Sequence, residues 1–237
     1  TLNDVFAVSA SEVWAVGDRY TGGCGGGTRR PTIMRWITGG NWTLLTNATA
    51  PSVPGCASTN HDLNALYMLD TNGDGNADDG WAVGVRDRGA DNGWTFFRWS
   101  AAANSWSRIA VTTVGTGARD LNSVYMLSAT DGWAVGDGGV ILRWNNPTAG
   151  IWNINAAPGA VTALNLNAVA CFTAGDCWAV GDSADSDNDA SPPVMLHWNG
   201  SGWAAVAAPP GFDQHLNALS LVGARTRPQA TWREVFP

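Results

Sequence analysis

An all-β fold assembled from repeated four-stranded antiparallel sheets, a β-propeller, is what this sequence predicts, on three observations. The tetrad Trp-Ala-Val-Gly begins at Trp14, Trp81, Trp133 and Trp178, and a segment that recurs every few tens of residues marks a supersecondary unit whose apolar face is covered by its neighbour. Around each copy, short runs of Val, Ile, Leu and aromatics alternate with Gly, Asp, Asn and Pro, which is how strands joined by tight hairpins read. Thirteen of the fourteen tryptophans fall in three columns: the tetrad itself, the end of an Arg-Trp or His-Trp strand (Trp36, Trp99, Trp144, Trp198), and the start of a last strand (Trp42, Trp106, Trp152, Trp203, Trp232). Blades arranged radially, each between two others, leave few free sheet edges.

The plainest unit runs Leu121–Leu127, Gly132–Asp137, Val140–Trp144 and Trp152–Ile154, four strands of one blade. Its equivalents give full repeats at 1–61, 62–119, 120–164 and 165–214 within one domain, a length compatible with a single all-β unit. Residues 215–237 form an incomplete fifth: Leu216–Leu221 reads as a first strand and Thr231–Val235 as a last one, with no tetrad or Arg-Trp strand between them. The third unit joins its second and third strands by Asp137-Gly138-Gly139 alone, whereas the others insert Arg19–Pro31, Val85–Trp94 and Asp182–Pro193. The run Gly22–Gly27 leads into a strand and is followed by no helix or Lys-Ser pair, so it reads as a loop and not as a phosphate cradle.

Twenty acidic against thirteen basic residues, all of the latter Arg, argue against a nucleic-acid partner. No apolar run approaches the roughly 18 residues of a membrane-spanning helix. The chain opens on Thr1 in phase with a repeat, as an excised or processed piece would. Cys171 and Cys177 flank the turn between the first two strands of the fourth unit, where a cross-hairpin disulfide is sterically reasonable. Cys24 and Cys56 lie in connections that emerge on one face of the first unit, so their pairing is allowed, although spacing does not fix connectivity and four free thiols are the alternative. Disulfides place the chain in a secreted or extracytoplasmic compartment, at the cell surface or in a periplasm.

The sharpest chemical signal lies in the second unit. From the unit's first Leu to its tetrad Trp the spacing is twelve residues in units one, three and four, but eighteen from Leu63 to Trp81. The added stretch supplies Asp70, Asn72, Asp74, the Asn76 carbonyl and Asp78, with Gly75 at the sixth position for the sharp turn, the oxygen set a hard cation such as Ca2+ requires. A metal-free Asn/Gly/Asp turn is the alternative. Position twelve is Trp81, which excludes an EF-hand; the run resembles the calcium loops of integrin-type propeller blades. A cation there would be structural, because crowded carboxylates repel one another. The acidic run Asp182–Asp189 lacks the glycine and reads as a solvated loop.

No catalytic constellation assembles. Glu12 and Glu234 are the only glutamates, His61, His197 and His215 are scattered, and a glycosidase requires two carboxylates across a cleft. His197 takes the place of Arg35, Arg98 and Arg143, and this column is expected to pair with Asp18, Asp137 and Asp182 as a structural feature of the scaffold. Trp94, the one tryptophan outside the columns, is either a ligand contact or a cover for its own loop.

The repeat, clearest over Gly132–Arg143, resembles the photosystem II stability and assembly factor type of propeller, a family related to the BNR/Asp-box repeats, over residues 1 to about 214. That resemblance implies a secreted or lumenal protein-binding scaffold without catalysis. The functional expectation is therefore a secreted, non-enzymatic propeller that binds other proteins or self-assembles through its loops, stabilised by calcium and disulfides. A carbohydrate-binding lectin using Trp94 is the alternative, with glycan as partner.

Overall fold

The computed structural model describes residues 1–21, 28–45, 62–86, 93–109, 119–146, 150–159, 164–183, 193–209 and 215–221. Within them the chain forms four antiparallel sheets of four strands, each in simple sequential order. Blade 1 contains β1 (Leu2–Ser9), β2 (Glu12–Thr21), β3 (Thr28–Ile37) and the two-residue β4 (Thr43–Leu44). Blade 2 contains β5 (Leu63–Leu69), β6 (Asp79–Gly84), β7 (Thr95–Ser100) and β8 (Ser105–Arg108). Blade 3 contains β9 (Leu121–Ser128), β10 (Asp131–Gly136), β11 (Val140–Asn146) and β12 (Ile151–Asn155), with Asp137–Gly139 as a 3-10 turn. Blade 4 contains β13 (Leu164–Thr173), β14 (Asp176–Ser183), β15 (Val194–Trp198) and β16 (Trp203–Ala205). The first strands β1, β5, β9 and β13 neighbour one another, so they line the inner side of the arc.

Two features of every blade explain its repeated letters. The Asn of each Leu-Asn pair is bulged out of its ladder: Leu2 pairs with Gly17 and Asp4 with Val16, and the same shift recurs in the other three blades. A bulge re-aims a side chain, and here it sends the Asn amide to the next blade. Asn3 Nδ2 donates to the Leu63 carbonyl and Asn64 Nδ2 to that of Leu121 (2.8 Å each), while Asn122 reaches Leu166 and Asn167 reaches Leu216 (3.1 Å each). The tetrad glycine faces the backbone at the same place. Gly136 is extended (φ −171°, ψ −158°), so dihedral freedom is not what it supplies; it supplies space, because a Cβ there would run into the Asp120 carbonyl oxygen. Gly17, Gly84 and Gly181 meet the carbonyls of Thr1, Asp62 and Asn165 in the same way.

Packing between blades repeats as well. In each described junction the tetrad Trp of one blade is clasped by two indoles of the next: Trp14 by Trp99 and Trp106 (4.9 and 5.8 Å between ring centres), Trp81 by Trp144 and Trp152 (4.7 and 5.2 Å), and Trp133 by Trp198 and Trp203 (4.9 and 5.1 Å). Tilted and edge-on indole contacts of this kind add to the area they bury. Beside each clasp a cross-strand pair conserves volume. Met68 lies over Gly80 and Met126 over Gly132, while blade 1 places Ala7 opposite Val13 and blade 4 places Cys171 opposite Cys177.

In the fifth unit, residues 215–221 form no strand, contrary to the expectation for Leu216–Leu221. They nevertheless occupy a first-strand position, since Leu216 accepts the Asn167 amide, and Leu216 and Leu219 pack with Val206 and Ala208 on Ala168, Val180 and Met195 of blade 4.

Candidate functional site

The Arg/His column finds other partners than the expected Asp18, Asp137 and Asp182. Arg35 pairs with Glu12 (2.5 Å), Arg98 with Asp79 through both nitrogens (2.9 and 2.6 Å), Arg143 with Asp131 (3.2 and 3.4 Å) and His197 with Asp176 (2.9 Å). Strand geometry is the reason. Each Arg or His sits directly opposite its tetrad Trp, as Trp133 sits opposite Arg143. The carboxylate two residues before that Trp shares its face, whereas one four residues beyond lies about 13 Å along the strand. The guanidinium then lies between two indoles, Arg98 being 5.2 Å from the Trp81 ring and 5.5 Å from that of Trp144. Hydrogen bonding to Asp79 holds the Arg98 pKa above its ordinary value.

The Asp residues after the tetrad instead orient the Asn ladder. Asp137 accepts from Asn122 (2.9 Å), and Asp182 accepts from Asn167 (2.8 Å) and lies 3.2 Å from His215 Nδ1. On the same face the Asp120 carboxylate accepts the Arg86 backbone N–H (2.9 Å). This is the face from which the inserted connections leave; the expected insertion Arg19–Pro31 is partly strand, because β2 and β3 stay paired out to Thr21 and Thr28, and residues 22–27, 87–92 and 184–192 lie outside the described residues.

The Asp70–Asp78 loop lies at the opposite end of the blades. Gly73 and Gly75 take left-handed conformations (φ 78° and 83°) and donate their N–H groups to the Asp70 carboxylate at 2.7 and 2.8 Å. Asp78 Oδ2 accepts from Thr71 N, Thr71 Oγ1 and Asn72 N. Asn72 Nδ2 bridges the Asp74 and Asp78 carboxylates at 3.2 and 3.1 Å, which draws three of the five expected ligand residues to one point. Hydrogen bonds from the Asn76 backbone and side chain hold the Asp74 pKa below the usual carboxylate value. Among the described residues no three acidic, His or Cys side chains gather as a metal cluster. The loop is tied to blade 1: Ser9 Oγ donates to the Gly75 carbonyl (2.7 Å), and the Ala77 N–H donates to Glu12 Oε2 (2.6 Å).

Cys171 and Cys177 are joined in a disulfide, directly opposite one another on β13 and β14; Cys24 and Cys56 lie outside the described residues. Trp94 does not stand free as a ligand platform. It is 9% exposed and packs among Ala65, Trp81, Phe96 and Trp152, because β7 begins one residue later and draws it into the junction of blades 2 and 3.

Sequence reasoning gave Glu12 no structural role. Its side chain is fully buried, where it accepts from Trp14 Nε1 (2.9 Å), Arg35 Nε and the Ala77 N–H. Its place two residues before a tetrad Trp, aligned with Asp79, Asp131 and Asp176, was the available signal. The Met/Gly pairs were visible in the same alignment.

No protein-family model matches the chain, and no curated protein matches it in sequence. Solved structures do resemble it. YCF48 bound to a D1 peptide superposes with a TM-score of 0.43 at 13% identity, covering 92% of this chain and 69% of that one. YCF48 from Cyanidioschyzon merolae gives 0.49 at 16%, covering 87% and 71%. A candidate glycosidase from Bacteroides thetaiotaomicron gives 0.50 at 8%, covering 91% and 73%. At such identities the likeness is one of fold, and the fold, on the evidence of the sheets themselves, is a β-propeller.

Proposed function

We propose that this chain is a secreted, non-enzymatic β-propeller scaffold that binds other proteins through the face bearing its inserted connections, with calcium in the Asp70–Asp78 loop and disulfides as stabilisers. The observation that carries the reading is where the reactive side chains go. The repeated carboxylates, guanidiniums and imidazole are consumed in blade packing, so the scaffold is uniform and its variation is confined to connections, where binding residues concentrate. With Trp94 buried, no observation favours the lectin. Calcium would be held by Asp70, Asn72, Asp74, the Asn76 carbonyl and Asp78; it would take the place of the Asn72 amide between the carboxylates and relieve their repulsion.

The binding reading is tested by replacing the connection between β6 and β7 with the Asp-Gly-Gly turn of blade 3. The expected result is an intact fold that no longer captures the partner recovered by the parent chain; capture unchanged by every such replacement would refute it. Turnover on glycosides would refute the non-enzymatic part. For the metal, calcorimetric titration of the chelated protein with Ca2+ is expected to give one site that Asp74→Ala and Asp78→Ala remove, with a melting temperature that falls in chelator. Identical melting with and without chelator would refute it.

A further inference from the structure

Two Asn-Gly pairs with the same letters and the same kind of turn stand in opposite electrostatic settings. One is Asn72-Gly73 in the Asp70–Asp78 loop and the other is Asn199-Gly200 between β15 and β16; a third begins at Asn92, outside the described residues. In such a pair the glycine nitrogen can attack the asparagine side-chain amide, because no Cβ obstructs the approach. Both asparagines are exposed, and both glycines are left-handed (φ 78° and 92°). In both pairs the side-chain carbonyl accepts the N–H two residues on, from Asp74 (2.8 Å) and from Ser201 (3.0 Å). This Asx turn folds the side chain back over the peptide bond to the glycine.

The charge around them differs. At Asn72 the single donor is opposed by three carboxylates: the Gly73 N–H is held by Asp70 (2.7 Å), and Nδ2 by Asp74 and Asp78 (3.2 and 3.1 Å). Negative charge developing on the Asn72 oxygen or on the Gly73 nitrogen is repelled there. At Asn199 the same oxygen accepts from three neutral donors, the Ser201 N–H, Ser201 Oγ (2.7 Å) and the Gly202 N–H (3.1 Å). Donors gathered on an oxygen that becomes an oxyanion stabilise a tetrahedral intermediate.

We infer that Asn199 is a site of spontaneous deamidation and that Asn72 is protected from it. The Gly200 nitrogen gives its proton to water and bonds to Asn199 Cγ. The intermediate expels Nδ2, which takes a proton from water and leaves as ammonia, and a succinimide ring closes. Water then opens the ring at either carbonyl, giving an aspartate or an isoaspartate at position 199; one water is consumed, one ammonia is released, and nothing is oxidised. The isoaspartate carries the backbone through the side-chain methylene and so lengthens the connection between Trp198 and Trp203. Those two residues face one another across β15 and β16 and clasp Trp133, so the reaction acts on the junction of blades 3 and 4.

Mass-spectrometric peptide mapping of the protein aged in neutral buffer tests this, with chelator present so that no cation in the Asp70–Asp78 loop contributes to the difference. Asn199 is expected to convert at least about tenfold faster than Asn72, with isoaspartate among the products. Ser201→Ala deletes one donor and keeps the Asn-Gly pair. It is expected to slow conversion about tenfold, less than the roughly hundredfold such a donor is worth in an enzyme site, because this hairpin is open to water. Ageing in guanidinium chloride is the control for sequence: the sites share their dipeptide, so unfolding is expected to bring their rates together. An unreactive Asn199, an Asn72 that converts as fast in the folded protein, a rate indifferent to Ser201→Ala, or the same preference in the unfolded chain would each overturn the inference.

Discussion

Replacing Gly136 with alanine measures how the bulge and the tetrad glycine depend on each other. A Cβ at this position would overlap the Asp120 carbonyl oxygen and lie 2.9 Å from Leu121 Cα and 3.0 Å from the Asp120 carbonyl carbon. All three are backbone, with no flexible side chain to swing away. The head of β9 must therefore retreat, and three interactions go with it. The Asp137 N–H loses the Asp120 carbonyl (3.0 Å) and the Asn64 amide loses the Leu121 carbonyl (2.8 Å), each worth about 1 kcal/mol. Leu121, fully buried, gives up part of a burial worth about 2 kcal/mol. The expected loss is about 3 kcal/mol, at the upper end of what single substitutions cost. Urea unfolding followed by tryptophan emission reads it as a lower midpoint. Gly202→Ala is the control, since nothing lies within 4 Å of the added methyl; it is expected to remain within about 0.5 kcal/mol of the parent. If Gly136→Ala also unfolds within about 0.5 kcal/mol of the parent, the glycine is not there for space and the account of the bulge is wrong.

Other substitutions test the packing at single positions. Arg98→Ala removes a bidentate partner from buried Asp79 and a cation from between two indoles; it is expected to cost about 2 kcal/mol in denaturant unfolding, with Arg98→Lys recovering only part. Burial holds the Asp4 pKa above its ordinary 3.8, although the Leu66 and Val5 N–H groups oppose this. Stability from that shift is present below the ordinary pKa and is lost as pH rises through the raised value. Asp4→Asn is therefore expected to raise the unfolding midpoint at pH 7 and to leave it unchanged near pH 3. Cys171→Met with Cys177→Gly installs the pair used in blades 2 and 3; in reductant the double variant is expected to exceed the single variant Cys177→Ala in stability, read as a higher urea midpoint. Trp133 buries its Nε1 without an acceptor among the described residues, whereas Trp14 donates to Glu12, so Asp131→Glu is expected to gain about 1 kcal/mol.

The blades were legible because strand periodicity, turn residues and three tryptophan columns all repeat, and agreement between repeats outweighs the ambiguity of any one strand. The partners of the arginines were not. The expectation chose the Asp after each tetrad because it recurs in sequence, but a sheet joins residues by register: Arg143 faces Trp133, which places Asp131 within reach and Asp137 a turn away on another task. Trp94 misled for a related reason. It stands at the end of an insertion, where exposure is the ordinary expectation, yet it lies one residue before β7 and shares the burial of that strand. In the Asp70–Asp78 loop the spacing of oxygens was readable, while the bridging of Asp74 and Asp78 by the Asn72 amide depends on backbone turns that letters alone do not fix.

Glu12 joins the acidic loop to the scaffold. Blades 2 to 4 carry Asp at this position, and in blades 2 and 3 it serves its own Arg while the tetrad indole N–H is left without an acceptor among the described residues. The extra methylene in blade 1 lets one oxygen serve Trp14 and Arg35 while the other crosses to the Ala77 N–H at the foot of the blade 2 loop. That N–H lies where the six-residue insertion rejoins the repeat, since the Ala77 carbonyl accepts the Trp99 indole just as those of Ala129 and Ala174 accept Trp144 and Trp198. A buried acceptor of this reach has a use where a neighbouring loop has been lengthened and must be seated, so the longer carboxylate in one blade and the insertion in the next form one feature. Its consequence is directional: whatever orders the Asp70–Asp78 loop also tightens the junction between blades 1 and 2.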